Sequence, residues 1–210
     1  MTAPLRLGVL VSGGGTDLQS ILDAVAAGRL DAEVRLVLSN RPKAGALERA
    51  ARAGVPGLCI SHKPFETREA FEEAMLGALR QHGVEWVALA GFMRVLTGHF
   101  LRAYPGRVVN IHPALLPAFP GVDAQRQAFE HGVKLTGCTV HFVDEGVDTG
   151  PIIGQAVVPV LEGDDVEALR HRILEEEHRL YPRVLQLLAE GRVVREGRRT
   201  RVAVGGVEPA

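Results

Sequence analysis

The chain is organised around the stretch VVNIHPALLPAFPG, which occupies residues 108–121. Residues 107–111 read as a short apolar strand, and Pro113 ends it, since the position before a proline favours an extended backbone. Asn110 and His112, two residues apart on that strand, project to the same side. An amide donor and a titratable imidazole therefore face one point at a strand's carboxyl end, where ligands bind in open α/β sheets. Taken alone, the pair is better explained by two side chains that satisfy buried backbone groups.

Length and composition indicate one domain, or two tightly fused halves, with a substantial core. The chain has 210 residues, and 46% of them are hydrophobic. Its 24 basic and 25 acidic residues leave a net charge of -1, which gives no sign of a nucleic-acid-binding surface. Two cysteines indicate free thiols in a reducing compartment. Neither a signal peptide nor an apolar run of membrane-spanning length is found, so we expect a cytoplasmic protein.

Strands and helices alternate along the first half of the chain. Short apolar runs predict strands at residues 5–11, 34–38, 58–60 and 86–90, and apolar residues at helical spacing follow the first three. Beyond residue 121 we expect strands at 137–143 and 152–160 and a long helix. Asp164 opens that helix with a capping-box pattern that Glu167 completes. This order predicts an α/β fold with a Rossmann-like, mostly parallel sheet.

A glycine loop, SGGGTD at residues 12–17, joins the first strand to the first helix. Glycines let the backbone approach a ligand closely, and the N–H groups at a helix start point at a phosphate. We expect Thr16 or Asp17 to cap the helix. Residue 18 is Leu, so the loop lacks the last glycine of a dinucleotide fingerprint. The loop favours a monophosphate site over a mere tight turn.

Two charged side chains stand among apolar residues. Arg94 follows the fourth strand, and either it binds an anion or its head reaches solvent; the residue alone favours solvent. Glu177 falls on the apolar stripe of the last helix. Either it lies at a frayed edge near Pro182, or it accepts hydrogen bonds from the hydroxyls of a ligand. The sequence does not separate these two.

A metal site is the other chemistry to consider. His112, His141 and Asp148 are potential ligands, but no pair has the close spacing of familiar zinc motifs. We therefore predict no metal and a structural role for His141.

Taken together, the motifs resemble the glycinamide ribonucleotide formyltransferases, folate-dependent enzymes of purine synthesis. The resemblance runs from Leu5 to about Val194 and rests on SGGGTDLQ at 12–19, GFMR at 91–94, NIHPALLP at 110–117, DTGP at 148–151, EH at 177–178 and YP at 181–182. It implies a three-layer formyltransferase fold with a mostly parallel sheet of about seven strands flanked by helices.

The same resemblance implies a division of labour along the chain. Residues 1–105 are expected to form a Rossmann-like, nucleotide- or phosphate-binding half. Residues 106–200 form the catalytic and folate-binding half, fused with the first into one compact domain. Residues 205–210 are expected to be a disordered tail.

The implied reaction transfers the formyl group of 10-formyltetrahydrofolate, a co-substrate, to the amine of glycinamide ribonucleotide. Asn110 is implied to donate its amide to the tetrahedral oxyanion, and protonated His112 to be the second donor. Asp148 is implied to keep His112 protonated, since a nearby carboxylate favours a charged imidazole. It also helps move the proton from the attacking amine.

The resemblance also places the two substrates. The phosphate and ribose contacts map to Gly15, Thr16, Asp17 and Glu177. The folate contacts map to Arg68, Met93, Arg94, Leu96, Val143 and Asp148. Asp17 stands where many relatives have Asn. Because a carboxylate repels a phosphate, we expect the backbone N–H of Asp17, and not its side chain, to contact the phosphate.

Other functions stay open at this stage. A formyl-folate hydrolase uses the same Asn, His and Asp with water as nucleophile, although such enzymes usually carry an extra N-terminal domain. A methionyl-tRNA formyltransferase needs an RNA-binding extension and a basic face. A non-catalytic nucleotide-binding module explains the glycine loop alone. The expected partners are small-molecule substrates, without nucleic acid or membrane, and a homodimer stays an alternative to a monomer.

Overall fold

A seven-stranded sheet forms the middle layer of the protein, whose computed structural model describes residues 3–203. The spatial order of the strands is β3-β2-β1-β4-β5-β6-β7. Their bounds are β1 Leu5–Val11, β2 Ala32–Ser39, β3 Gly57–Cys59, β4 Trp86–Leu89, β5 Val108–His112, β6 Leu135–Phe142 and β7 Ile152–Pro159. Neighbours among β1 to β5 pair in parallel, and β6 runs antiparallel to both β5 and β7.

Helices cover both faces of the sheet. They are α1 Thr16–Ala26, α2 Gly45–Arg52, α3 Arg68–Gln81, α4 Gly98–Ala103, α5 Ala124–His131 and α6 Val166–Ala189. One apolar core joins α1, α2 and α6 to the sheet, and a second joins α3 and α4 to the other face. The middle strands are buried on both faces, as their near-continuous apolar sequences require. The glycine loop, the segment after β4 and the end of β5 consequently meet along one edge of the sheet.

The predicted three-layer α/β fold is confirmed, and the seven predicted strands agree with the observed ones to within a few residues. Three elements were not predicted: α4, α5, and a two-stranded hairpin made of β8 Val193–Glu196 and β9 Arg199–Val202. The expectation of a disordered tail at 205–210 lies outside the described residues.

Both predicted helix caps were wrong. Gly15, at φ 74°, occupies the N-cap position of α1, and neither Thr16 nor Asp17 caps it, since both already lie inside the helix. Asp165 caps α6 by accepting from the N–H of Ala168 at 2.7 Å.

Asp164 does not open the last helix because its carboxylate is used elsewhere. It accepts from the N–H of Leu161 and pairs with Arg172, each at 2.7 Å. The helix also continues through Pro182, so Glu177 lies in its buried middle and not at a frayed edge. None of the helices within residues 3–203 is both long and apolar enough to cross a bilayer.

Candidate active site

Asn110, His112 and Asp148 lie together although they come from two separate segments. Asn110 and His112 belong to β5, and Asp148 belongs to the loop between β6 and β7. Nδ1 of His112 lies 3.3 Å from one carboxylate oxygen of Asp148, and the amide nitrogen of Asn110 lies 3.4 Å from the other. One carboxylate therefore faces both the amide and the imidazole.

Both ring nitrogens of His112 face acceptors. Nδ1 faces Asp148, and Nε2 lies 2.8 Å from the carbonyl oxygen of Phe119. An imidazolium ring carries an N–H on each nitrogen and satisfies both acceptors, whereas a neutral ring satisfies one. Each nitrogen of this buried side chain thus has an acceptor within reach.

The Asp148 carboxylate is held from several sides. The N–H of Gly121 donates to it at 2.8 Å, and its backbone has φ 54°, a left-handed conformation that few residues other than glycine adopt. Burial raises the pKa of Asp148. The neighbouring His141 imidazole, the N–H of Gly121 and the His112 imidazole outweigh it, so the pKa lies below its ordinary value. Asp148 is therefore ionised at neutral pH.

His141, for which the sequence predicted a structural role, lines the site beside Asn110. Its Nδ1 lies 2.8 Å from the carbonyl oxygen of Phe142 and so carries a proton. Its Nε2 lies 3.2 Å from the amide nitrogen of Asn110 and 3.6 Å from Asp148. In the neutral ring Nε2 accepts one N–H of Asn110, which fixes the orientation of that amide. His141 pairs with Asn110 across β5 and β6, a register that the sequence does not reveal.

A cavity of about 430 Å³ connects these groups to most of the other predicted site residues. Its lining includes the following of them: Asp17, Met93, Arg94, Leu96, Asn110, His112, Val143, Asp148 and Glu177. Arg68 is not among the lining residues and lies exposed in the first turn of α3. Gly15 is outside the lining too, and Thr16 lines a smaller polar cavity of about 310 Å³ beside His178 and Arg49.

The glycine loop presents open backbone to this edge of the sheet. A Cβ added at Gly13 or Gly14 meets nothing within 4 Å, whereas one at Gly15 lies 2.6 Å from the Cβ of Ala46. Arg49 donates to the carbonyl oxygen of Gly14 at 2.8 Å. Within residues 3–203 the N–H groups of Gly13, Gly14 and Gly15 donate no hydrogen bond. The loop is anchored through its carbonyl groups while its N–H groups stay available to an anion.

Two carboxyl groups face the same end of the cavity. Burial raises the pKa of Asp17 to about 6, and burial reinforced by Asp17 raises the pKa of Glu177 well above its ordinary value. Oδ1 of Asp17 and Nε2 of His178 lie 3.8 Å apart, and both are buried without a hydrogen-bond partner among residues 3–203. The structure therefore places unsatisfied polar atoms next to the start of α1.

Asp17→Asn is expected to stabilise the protein in a pH-dependent way. The carboxyl pKa is about 6 in the folded protein and about 3.9 in the unfolded chain, so ionising Asp17 costs folding free energy as pH rises through this window. We expect the gain in free energy of unfolding to be about 2 kcal/mol larger at pH 8 than at pH 4.5. Urea unfolding at both pH values measures it. Asp23→Asn, an exposed carboxyl on the same helix, is the control, and an equal gain at both pH values would contradict this assignment.

The segment that carries Met93 and Arg94 is held by buried polar groups. Ser12 accepts from the N–H of Met93 at 2.9 Å and donates to the Asn40 side chain at 2.6 Å. Glu72, 2% exposed on α3, accepts from both the N–H and the hydroxyl of Thr97. A glutamate on the apolar face of α3 was the signal that sequence reasoning passed over.

Within residues 3–203, no group of three or more His, Cys, Asp or Glu side chains is arranged to hold a metal ion.

Comparison with known proteins agrees with this geometry. Residues 5–185 match the model of the formyl transferase family, and the chain belongs to that family. A solved glycinamide ribonucleotide transformylase 1 from Symbiobacterium toebii is 57% identical, with a TM-score of 0.94 over 96% of this chain and 95% of its own. Phosphoribosylglycinamide formyltransferase of Bacillus subtilis is 44% identical over 87% of this chain and 94% of its own.

The chain also resembles part of a larger protein. It is 52% identical, over 89% of its length, to the trifunctional purine biosynthetic protein adenosine-3 of Drosophila pseudoobscura pseudoobscura. It covers only 14% of that relative. The relatives of similar length are thus named for a single activity, whereas the longer relative is named as trifunctional.

Proposed function

We propose that the protein transfers the formyl group of 10-formyltetrahydrofolate to the amine of glycinamide ribonucleotide. The products are formylglycinamide ribonucleotide and tetrahydrofolate, and the step belongs to de novo purine biosynthesis. The observation that carries the proposal is the meeting of Asn110, His112 and Asp148 in the wall of a cavity that also reaches Arg94 and Glu177. Membership of the formyl transferase family supports it.

The chemistry follows from the positions of these three groups. The substrate amine attacks the formyl carbon, a carbon–nitrogen bond forms, and the carbonyl oxygen becomes an oxyanion. Asn110 donates its amide N–H to that oxygen, and the charged His112 stabilises it. Asp148 takes the proton from the amine, directly or through water. As the carbonyl forms again, the bond from the formyl carbon to N10 of the folate breaks and that nitrogen receives the proton.

The hydrogen bonds within the site define what must change when substrate binds. Both His112 nitrogens already face acceptors, so a direct hydrogen bond to the oxyanion replaces the one to the Phe119 carbonyl. Asn110 needs no such exchange. Its hydrogen bond to Asp148 is long, at 3.4 Å, so the N–H that makes this bond can turn toward the oxyanion. Asn110 is therefore the primary oxyanion donor, and His112 contributes mainly as a cation.

The folate occupies the cavity, and the nucleotide reaches from the end lined by Asp17 and Glu177 to the glycine loop. The nucleotide phosphate binds the N–H groups of Gly15, Thr16 and Asp17, and Glu177 accepts hydrogen bonds from ribose hydroxyls. The folate binds along Met93, Arg94, Leu96 and Val143, beside the loop that carries Asp148. Arg68, which the cavity does not reach, meets the outer, anionic part of the folate, since its charge is exposed.

Further parts of the proposal concern the chain as a whole. Residues 1–105 serve mainly nucleotide binding, and residues 106–200 serve catalysis and folate binding. Small molecules are the partners, the site needs no metal, and the protein acts in the cytoplasm. Whether it acts as a monomer or a homodimer is decided by sedimentation.

His141→Leu is expected to lower kcat about tenfold with little change in KM. The substitution leaves an N–H of Asn110 buried without its acceptor, so the amide loses its fixed orientation. His141→Gln is the matched variant, because its side-chain oxygen can accept the same N–H. Steady-state kinetics of both variants test this. If the Gln variant is as slow as the Leu variant, the acceptor is not what the reaction needs.

Release of tetrahydrofolate from a 10-formylfolate donor, with and without glycinamide ribonucleotide, tests the function. We expect release only with the nucleotide. Release without it would make the protein a hydrolase, the second candidate, since the same three residues can activate water. Nucleotide binding with no release under either condition would leave only a binding module.

A further inference from the structure

The hairpin β8–β9 lies beyond the region that matches the formyl transferase family, which ends at residue 185. It nevertheless packs against the loop that carries Asp148. Arg198, at the turn of the hairpin, donates to the carbonyl oxygen of Thr149 at 2.8 Å. Thr200 donates its hydroxyl to the carbonyl oxygen of Ile152 at 2.5 Å. An element outside residues 5–185, which the family model matches, thus contacts the residue next to Asp148.

A third contact lies on the other side of the loop. The guanidinium carbon of Arg195 lies 5.9 Å from the centre of the Phe142 ring, and Phe142 is the last residue of β6. The hairpin therefore contacts the chain before the loop, within it and after it. Within the loop, Asp144 accepts from the Thr149 hydroxyl at 2.6 Å and from the Gly146 N–H at 3.1 Å. From outside it, the N–H of Gly121 holds the Asp148 carboxylate.

We propose that the hairpin is a clamp that positions the Asp148 loop for formyl transfer, with Arg198 and Thr200 as its positioning residues. The proposal rests on the proposed function only for its effect on turnover, because the contacts themselves do not depend on the reaction.

The backbone conformation of Asp148 explains why loss of the clamp is expected to slow the reaction. Its left-handed backbone, at φ 54°, is unfavourable for a residue with a side chain and persists only where the surroundings hold it. Both hydrogen bonds of the clamp fall on backbone carbonyls one and four residues further along the chain. Losing them lets the loop relax and moves the carboxylate away from His112 and Asn110. A displacement of about 1 Å in such a site can cost about 10²-fold in rate.

The hairpin is itself well closed, so it can act as a fixed support. Its strands pair from Val193–Val202 to Glu196–Arg199. At its base, the N–H of Ala203 donates to the carbonyl oxygen of Arg192 at 2.8 Å, and the Arg192 side chain donates back to Ala203 at 2.9 Å. Removing the side chains at 198 and 200 therefore leaves the hairpin formed.

The test is the double variant Arg198→Ala/Thr200→Val, which removes both hydrogen bonds and keeps the shape at position 200. We expect kcat to fall about tenfold and amide hydrogen exchange in residues 144–150 to become faster, while exchange in β1 and β4 is unchanged. Arg201→Ala is the control, because Arg201 is exposed on the same strand and pairs with Glu196 of the hairpin. Arg198→Lys/Thr200→Ser keeps both donors and is expected to restore most of the rate.

Two results would overturn the clamp. One is amide hydrogen exchange in residues 144–150 that is no faster in the double variant than in Arg201→Ala. The other is faster loop exchange with unchanged kcat, which would make the hairpin a cover for the loop without influence on Asp148. If the unaltered protein transfers no formyl group, the proposed function fails, while hydrogen exchange still decides whether the hairpin holds the loop.

Discussion

Asp148→Asn is expected to lower kcat by about 10³-fold while binding of glycinamide ribonucleotide stays nearly unchanged. The carboxylate faces both Asn110 and His112, and its pKa lies below the ordinary value, so it is ionised and available as a base at neutral pH. An asparagine can still accept from the N–H of Gly121, which preserves the loop contact. It can neither take a proton from the amine nor balance a charged His112.

Steady-state kinetics and calorimetry with the nucleotide alone separate the two effects of this substitution. Glu145→Gln, an exposed side chain three residues earlier in the same loop, is the matched control and is expected to stay within about twofold of the unaltered protein. Loss of nucleotide binding in parallel with turnover would mean that Asp148 shapes the site and does not take part in the chemistry.

His112→Ala is expected to lower kcat by about 10²- to 10³-fold, again with nucleotide binding preserved. In the proposed mechanism, the variant removes the cation next to the developing oxyanion. It also leaves the Asp148 carboxylate and the Phe119 carbonyl without the ring that bridges them. The loss is expected to be smaller than for Asp148→Asn. In the proposed mechanism Asn110 shares the stabilisation of the oxyanion with His112, whereas Asp148 is the base.

Two further measurements identify the property of His112 that matters. His112→Asn keeps a neutral donor toward Asp148, so a rate close to that of the Ala variant would show that the positive charge is essential. Added imidazole should restore part of the activity of His112→Ala, because the deletion leaves a space lined by the same two acceptors. Full activity in His112→Ala would remove the imidazole from the mechanism.

Local patterns made much of the fold and site predictable. The apolar run at residues 86–90 indicated a central parallel strand, which is observed at Trp86–Leu89, and the glycines at 13–15 marked the turn from strand to helix. Asn110 and His112 were predictable because alternate residues of a strand share a side. Asp148 was found through the resemblance, since no local pattern links residues 110 and 148.

What could not be predicted depends on register and on contacts between distant segments. His141 meets Asn110 because β6 pairs with β5 in one particular register. Glu72 holds Thr97, and Arg172 draws Asp164 away from the helix cap, both across long stretches of chain. Arg68 shows the opposite case, since the resemblance placed it with the folate contacts, and the structure leaves it exposed outside the cavity.

Single-turnover formyl transfer in the double variant His112→Ala/Asp148→Asn tests most directly whether these groups act as one site. Residues that act as a unit give strongly non-additive losses. We expect a rate within about tenfold of that of Asp148→Asn alone, because removing the carboxylate already takes away the negative charge that His112 balances. A loss equal to the product of the two single losses would mean that the two residues act independently and not as one site.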